Sequence, residues 1–330
     1  MNERGLLDLI ISRIPELSPR DKISLCEHFN SEEDFVRVGT VAGVESIIER
    51  KLTSAWKLDD IRFKAEQDLK TVQIRGINWV SWTHTAYPPL LREIFDPPAL
   101  LFYRGNLPDP EKPLVAVVGT RQPSPQATGQ AYDLCHELGS YGIAVVSGLA
   151  MGIDAMAHRG NMEAGSPTFA VLGSGTDEIY PQSNRMLARR ILETGGCLIS
   201  EYPPGTPPYK SNFPARNRII SGMARGVVIV EAPKSSGALI TARFAADQNR
   251  DLWVASCGAT MSEDRHFDRT GSVKLAENGA SVIHGAHDIL RDWNLEVVKK
   301  CDSGISLDND SSLNNCGRAL AEKLARSINL

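Results

Sequence analysis

The chain has 330 residues, 42% of them hydrophobic and 23% charged, with a formal net charge of -4. That length carries about two domains and a full hydrophobic core. The acidic balance excludes a histone-like coat of positive charge, so a nucleic-acid site has to be a local basic groove, acting within a screening length of about 8 Å.

The six cysteines (Cys26, Cys135, Cys197, Cys257, Cys301 and Cys316) are widely separated, with no C-x-x-C and no Cys/His cluster at metal-ligand spacing, so no metal site is expected. The opening MNERGLLDLIISRIPEL carries acids inside its apolar run and no small-residue cleavage site, and no stretch approaches the roughly 18 uninterrupted apolar residues of a membrane span. The expectation is a reduced, cytoplasmic protein without membrane contact.

Residues 1 to about 75 read as a small helical domain. Leu6, Leu9, Ile10 and Ile14 recur at helical spacing, Pro15 and Pro19 punctuate, Ile23, Cys26 and Phe29 resume the pattern after Ser18, and Ala55–Leu69 is a charged amphipathic helix. Its several acids and lack of a basic stripe favour packing or partner docking over DNA contact. Residues 76–112 form a Pro-rich connector, in which the pairs beginning at Pro88 and Pro97 exclude regular helix and Leu90, Leu91, Ile94, Leu100, Leu101 and Phe102 anchor the segment.

From Leu114 apolar strands alternate with helices. The strands are expected at Leu114–Val118, Ile143–Ser147, Thr168–Leu172, Cys197–Ser200, Val227–Glu231, Leu252–Ala255 and Ser281–Ile283, the pattern of β-α-β crossovers. Residues 113–292 therefore read as an α/β, doubly wound, mostly parallel Rossmann-like sheet. Ligands of such sheets lie beyond the carboxyl ends of the strands. The loops there (Gly119–Ser124, Ser147–Gly152, Gly173–Asp177, Glu201–Asn212 and Ala232–Gly237) are rich in glycine, serine or proline, and their N–H groups can approach phosphate. Residues 293–330 are a polar tail with one amphipathic segment, Ala319–Ile328.

The segment Lys210–Glu231 holds Lys210, Arg216, Arg218 and Arg225 with no acid until its last residue, and one ring, Phe213. Cations for successive phosphates beside an aromatic face suit a single-stranded nucleic acid. A solvated basic helix face with a ring tucked into the core accounts for the same spacing. Gly119-Thr120-Arg121 would place a guanidinium at a strand's carboxyl edge, for phosphate or for a neighbouring acid. The run Ser147–Gly152, with Gly148, lacks the G-x-G-x-x-G spacing of a dinucleotide site but suits a phosphate cradle or helix–sheet packing. Asp154 and His158, four apart, could pair with each other, and nothing spaced near them supplies a nucleophile or third ligand.

In chain order, GTR at 119–121, SGLAMGIDAMAHRG at 147–160, SEYPPGTPP at 200–208, NFPARNRIISG at 212–222 and SGALITARFAADQNR at 236–250 resemble the DNA-processing protein A family, also called Smf. The resemblance covers about residues 87–290. It implies an extended Rossmann domain that binds single-stranded DNA, loads recombinase RecA onto it in transformation or recombination, and forms a homodimer, with no cofactor and no catalytic residue. By the same resemblance, Arg121 lines the DNA pocket, Lys210 contacts phosphate and Phe213 stacks a base. Arg216 and Arg218 continue the phosphate track, Asn212 and Asn217 orient the loop or bond a base edge, and Gly148, Ser236 and Gly237 belong to the binding loops.

Two departures stand out. Cys257 replaces the proline of the family's A-V-P-G turn, and Val273 stands where an asparagine is usual after Gly271. The tail is shorter than the winged-helix domain that many relatives carry. The alternative reading is a nucleotide-hydrolysing enzyme of phosphoribohydrolase type, with Glu201 and then Asp154 as candidate carboxylates; its P-G-G-x-G-T loop is missing.

Overall fold

A computed structural model describes residues 5–262, 264 and 266–295. The tail segment Ala319–Ile328 lies outside them.

Five helices open the chain: α1 (Leu6–Arg13), α2 (Pro19–His28), α3 (Glu32–Val38), α4 (Val41–Ile48) and α5 (Leu58–Arg75). The start of α2 shows how directly sequence sets these boundaries. Ser18 Oγ accepts from the Asp21 amide at 3.2 Å, the Asp21 carboxylate accepts from the Ser18 amide at 2.8 Å, and Pro19 takes the first helical position, where a missing N–H costs nothing.

The connector departs from expectation in holding a turn of helix. It contributes β1 (Asn78–Ser81), a single helical turn α6 (Pro89–Arg92) and β2 (Leu100–Gly105). Pro89 begins that turn rather than forbidding it, because its fixed φ suits the first helical residue. In β2 the side chains alternate: Leu100 and Phe102 pack among α1, α3 and α5, whereas Leu101 enters the core of the sheet beside Val80 and Ile199. Helices and sheet thus share one apolar layer.

The expected alternation follows: β3 (Leu114–Val118), α7 (Pro125–Ser140), β4 (Ala144–Ser147), α8 (Ile153–Glu163), β5 (Thr168–Val171), α9 (Arg185–Glu193), β6 (Cys197–Ser200) and α10 (Asn212–Met223). Then come β7 (Gly226–Ile229), α11 (Gly237–Asp247), β8 (Asp251–Ala255), α12 (Thr270–Glu277), β9 (Ser281–Ile283) and α13 (Ala286–Asp292). Strands β3 to β7 are buried throughout, as parallel strands covered on both faces must be.

Sheet order is β1-β2-β6-β5-β4-β3-β7-β8-β9, with the β1–β2 and β2–β6 pairs antiparallel and the remaining pairs parallel. The chain builds outward from β3 to β6, returns to set β7 against the other side of β3, and builds outward again. The strand order therefore reverses between β3 and β7, and a crevice opens at their carboxyl ends. No described helix is long and apolar enough to cross a membrane.

Candidate nucleic-acid interface

The crevice holds a groove of about 540 Å³, walled by the β3 exit (Gly119, Thr120, Arg121), the start of α10 (Phe213, Arg216, Asn217) and the start of α11 (Ser236, Gly237). Backbone bonds fix these walls: Thr120 N–H donates to Glu231 O at 2.7 Å, and Ile153 N–H to Thr120 O at 3.2 Å. Behind them lies a buried ion pair. Arg269 Nε meets Glu231 Oε2 at 2.8 Å, and the same carboxylate accepts the Ser124 hydroxyl at 2.7 Å and amide at 2.9 Å. The β3 exit loop and the end of β7 are thereby tied to the segment leading into α12.

Asp154 organises the loop after β4. Its Oδ2 accepts from the Gly148 amide at 3.1 Å and the Ala150 amide at 3.3 Å, while Asn184 Nδ2 donates to Leu149 O and Ala150 O at 2.9 and 3.1 Å. Burial raises the Asp154 carboxyl, and the Arg216 charge opposes that shift. The Asp154–His158 pairing does not form. His158 Nδ1 instead bonds Thr168 Oγ1 at 2.8 Å, and complete burial, with Arg216 adding, pushes the ring down to about 3. The imidazole is neutral and structural.

Helix α10 begins at Asn212, whose Nδ2 donates to Gly173 O at 3.0 Å. Pro214 sits in the first turn, where amide hydrogens lack helical partners. Phe213 lies over Gly173, where a Cβ would come within 2.9 Å of the ring, so the ring's position needs a glycine beneath it. Arg121, exposed, holds its guanidinium carbon 6.0 Å from the Phe213 centroid.

Arg216, only 5% exposed, enters beneath Gly148 and donates to Val171 O. Burial lowers its pKa to about 10, with Asp154 opposing, so it is a cation at neutral pH. It borders the groove from below. Lys210 and Arg121 stand on the exposed rim.

Arg218 does not join them. Its Nη1 and Nη2 form a forked pair with Glu201 at 2.8 and 2.7 Å, its Nε reaches Asp96 O and Oδ2 at 3.0 and 3.2 Å, and it is 7% exposed. Two acids from distant segments hold it, and it does not line the groove. That pairing also occupies Glu201.

The model of the family described as DNA recombination-mediator protein A matches residues 78–294. The chain belongs to that family. This family member is 37% identical over 290 residues to the protein Smf of Synechocystis, a match covering 85% of the chain and 70% of that relative. To the DNA processing protein DprA of Bacillus subtilis it is 37% identical over 232 residues, 69% of the chain and 75% of the relative. The X-ray structure of DprA from Streptococcus pneumoniae superposes with a TM-score of 0.72 at 31% identity, covering 88% of this chain and 98% of the other. A Helicobacter pylori DprA structure, described in terms of its single-stranded DNA binding mode, superposes with a TM-score of 0.56 at 26% identity, covering 67% of this chain and 98% of that one.

Within this family member, Arg121, Lys210, Phe213, Arg216, Asn217, Ser236 and Gly237 converge on the groove, and Gly148 borders a smaller cleft that shares Arg121, Phe213 and Arg216 with it. Asn217 Nδ2 donates to Gly237 O at 3.1 Å, binding the starts of α10 and α11 together, and Ser236 caps α11 through the Ala238 amide at 3.2 Å. Asn212 braces the turn without lining the groove. Two contributors escaped the sequence reading: Tyr180, whose only signal is an aromatic inside the polar run TDEIYPQSN, and Arg269, which stands between the departures at Cys257 and Val273. Cys257 points into the core on the α7 face, its amide donating to Gln130 Oε1 at 2.9 Å, and burial pushes its thiol up to about 11. It does not line the groove.

Proposed function

We propose that this chain binds single-stranded DNA in the crevice between the β3 and β7 exits and passes it to recombinase RecA during natural transformation or recombination, as a homodimer and without catalysing a reaction. The observation that carries the reading is the convergence on one groove of a half-buried ring, Phe213, with cations of three kinds of placement: Arg121 beside the ring, Lys210 on the rim and Arg216 seated below. Phosphates meet the cations and an unpaired base stacks on the ring, whatever its identity. The single-stranded DNA binding described for the Helicobacter pylori relative supports the same ligand. Hand-off to the recombinase and dimer formation rest on family membership.

The enzymatic alternative needs a free carboxylate beside a sugar. Glu201 is forked onto Arg218, and Asp154 is held by two loop amides. Both carboxylates are therefore committed to structure.

The test is fluorescence anisotropy of labelled oligo-dT against duplex of equal length at several salt concentrations. Preference for the single strand, a loss of about 1–3 kcal/mol in Phe213→Ala, and a salt slope reduced by about 0.7 in Lys210→Ala are expected. Equal affinity for duplex, or binding untouched by both substitutions, would sink the reading. Sedimentation of the free protein, and recombinase binding to the DNA complex, test the dimer and the hand-off.

A further inference from the structure

Tyr180 is 46% exposed, and its hydroxyl has no hydrogen-bond partner among the described residues. Its ring centroid lies 5.4 Å from that of Phe213, with 44° between the planes. Met151, 48% exposed, borders the same small cleft. Large apolar groups exposed together on a surface loop usually mark a contact site.

The loop that carries Tyr180 is rigidly held. Glu178 N–H donates to Gly175 O at 3.0 Å, Ser174 Oγ–H to Glu178 O, and the Asp177 carboxylate accepts the Gly205 amide at 2.9 Å. On its other side Asn184 N–H donates to Pro181 O at 3.0 Å, while the Asn184 side chain grips the carbonyls just before Met151. The exposed Tyr180 ring and Met151 thus sit on a braced frame, where little entropy is lost on binding.

We propose that Tyr180, with Met151 beside it, forms a second nucleobase subsite next to Phe213, so that two consecutive bases of an unpaired strand are held. The proposal rests on the reading of the groove as a single-strand site and adds which residues take the neighbouring base. Geometry decides how. A base slotted between two rings needs them parallel and about 7 Å apart, twice the roughly 3.4 Å stacking rise. At 5.4 Å and 44° the rings cannot sandwich one, and the cleft between them, about 40 Å³, holds only a few waters.

Each ring therefore offers its outer face to its own base. With both rings lying between them, those two bases stand further apart than the 5.4 Å ring separation and well beyond the stacking rise, so the strand is opened there. In a duplex both base faces are covered by neighbours, so two platforms at this spacing select unpaired DNA.

The test combines binding with photocrosslinking. Wild type, Tyr180→Ala and Tyr180→Phe are titrated with labelled oligo-dT by anisotropy across a salt series, and wild type is irradiated on an oligonucleotide carrying 5-iododeoxyuridine, with adducts located by mass spectrometry. Expected are a roughly 5- to 30-fold loss in Tyr180→Ala with unchanged salt slope, since no phosphate contact is removed, retention in Tyr180→Phe, and adducts on both Tyr180 and Phe213. If Tyr180→Ala binds like wild type and adducts form on Phe213 without Tyr180, the second subsite is wrong while the groove reading stands. If wild type shows no single-strand binding, both fall.

Discussion

Substituting Gly148 by alanine tests the architecture at one methyl group. The added Cβ would lie 2.2 Å from Arg216 Nη1 and 2.7 Å from both Cζ and Nη2, and Gly148 itself does not adopt the left-handed backbone that would exclude alanine. Alanine and the seated guanidinium cannot share that space. Arg216 has to swing away from Val171 O and leave Asp154 without its buried cation. Losing a buried hydrogen bond from a charged donor costs about 1.5–3 kcal/mol, and at about 2–4 °C per kcal/mol for a chain of this class Tm falls by several degrees.

Binding should respond as well. If Arg216 holds a phosphate, the slope of log K against log salt for oligo-dT flattens by about 0.7. The decisive assay is a double-mutant cycle by urea denaturation and anisotropy with Gly148→Ala, Arg216→Ala and their combination. Since both single changes empty one seat, the double variant should cost no more than Arg216→Ala alone. Additive losses, or a Gly148→Ala protein with wild-type Tm and salt slope, would refute the placement of Arg216 beneath this loop.

Arg218→Met should lower the urea midpoint, at a cost of about 3 kcal/mol of stability, because Glu201 and Asp96 lose the cation they share, yet keep the salt slope of single-strand binding; a flattened slope would return Arg218 to the phosphate track. Lys210→Ala should show the opposite pattern, a flatter slope with unchanged urea midpoint, as fits a side chain on the exposed rim. His158, held at about 3 against an ordinary 6.5, is neutral when folded, whereas the unfolded chain takes up a proton below about 6.5. Its contribution is complete above that pH and is lost as pH falls toward 3, about 2 kcal/mol by pH 5. His158→Asn should flatten the urea midpoint against pH between about 6.5 and 4, and an unchanged profile would place the acid sensitivity elsewhere.

The parallel strands were legible because β-branched apolar runs such as Leu114–Val118 have no other use than a buried strand, and the observed ends differ from the expected ones by a residue or two. β1 and β2 were not, because the proline pairs at 88–89 and 97–98 interrupt the segment that holds them and obscure its period; only pairing with β6, far along the chain, makes β2 a strand. The groove's cations were readable as a set but not individually. Arg216 and Arg218 stand two apart on one helix, yet one is seated beneath Gly148 and the other is captured by Glu201 and Asp96. Which fate each meets depends on acids and glycines brought there by the fold. Tyr180 escaped for the same reason, since one aromatic in a polar loop acquires meaning only when Phe213 stands 5.4 Å away.

The two-sided burial of β2 sets a condition on what may precede the family's shared region. That region begins at residue 78, but Leu100 and Phe102 inside it are covered by residues upstream of it. Any replacement for the leading helices would therefore have to bring an oily underside to lay over those two side chains. Simple loss is a different matter: it would uncover a greasy stripe on the outer part of the sheet, and the expected phenotype is a sticky, poorly recovered protein whose groove residues are all still present.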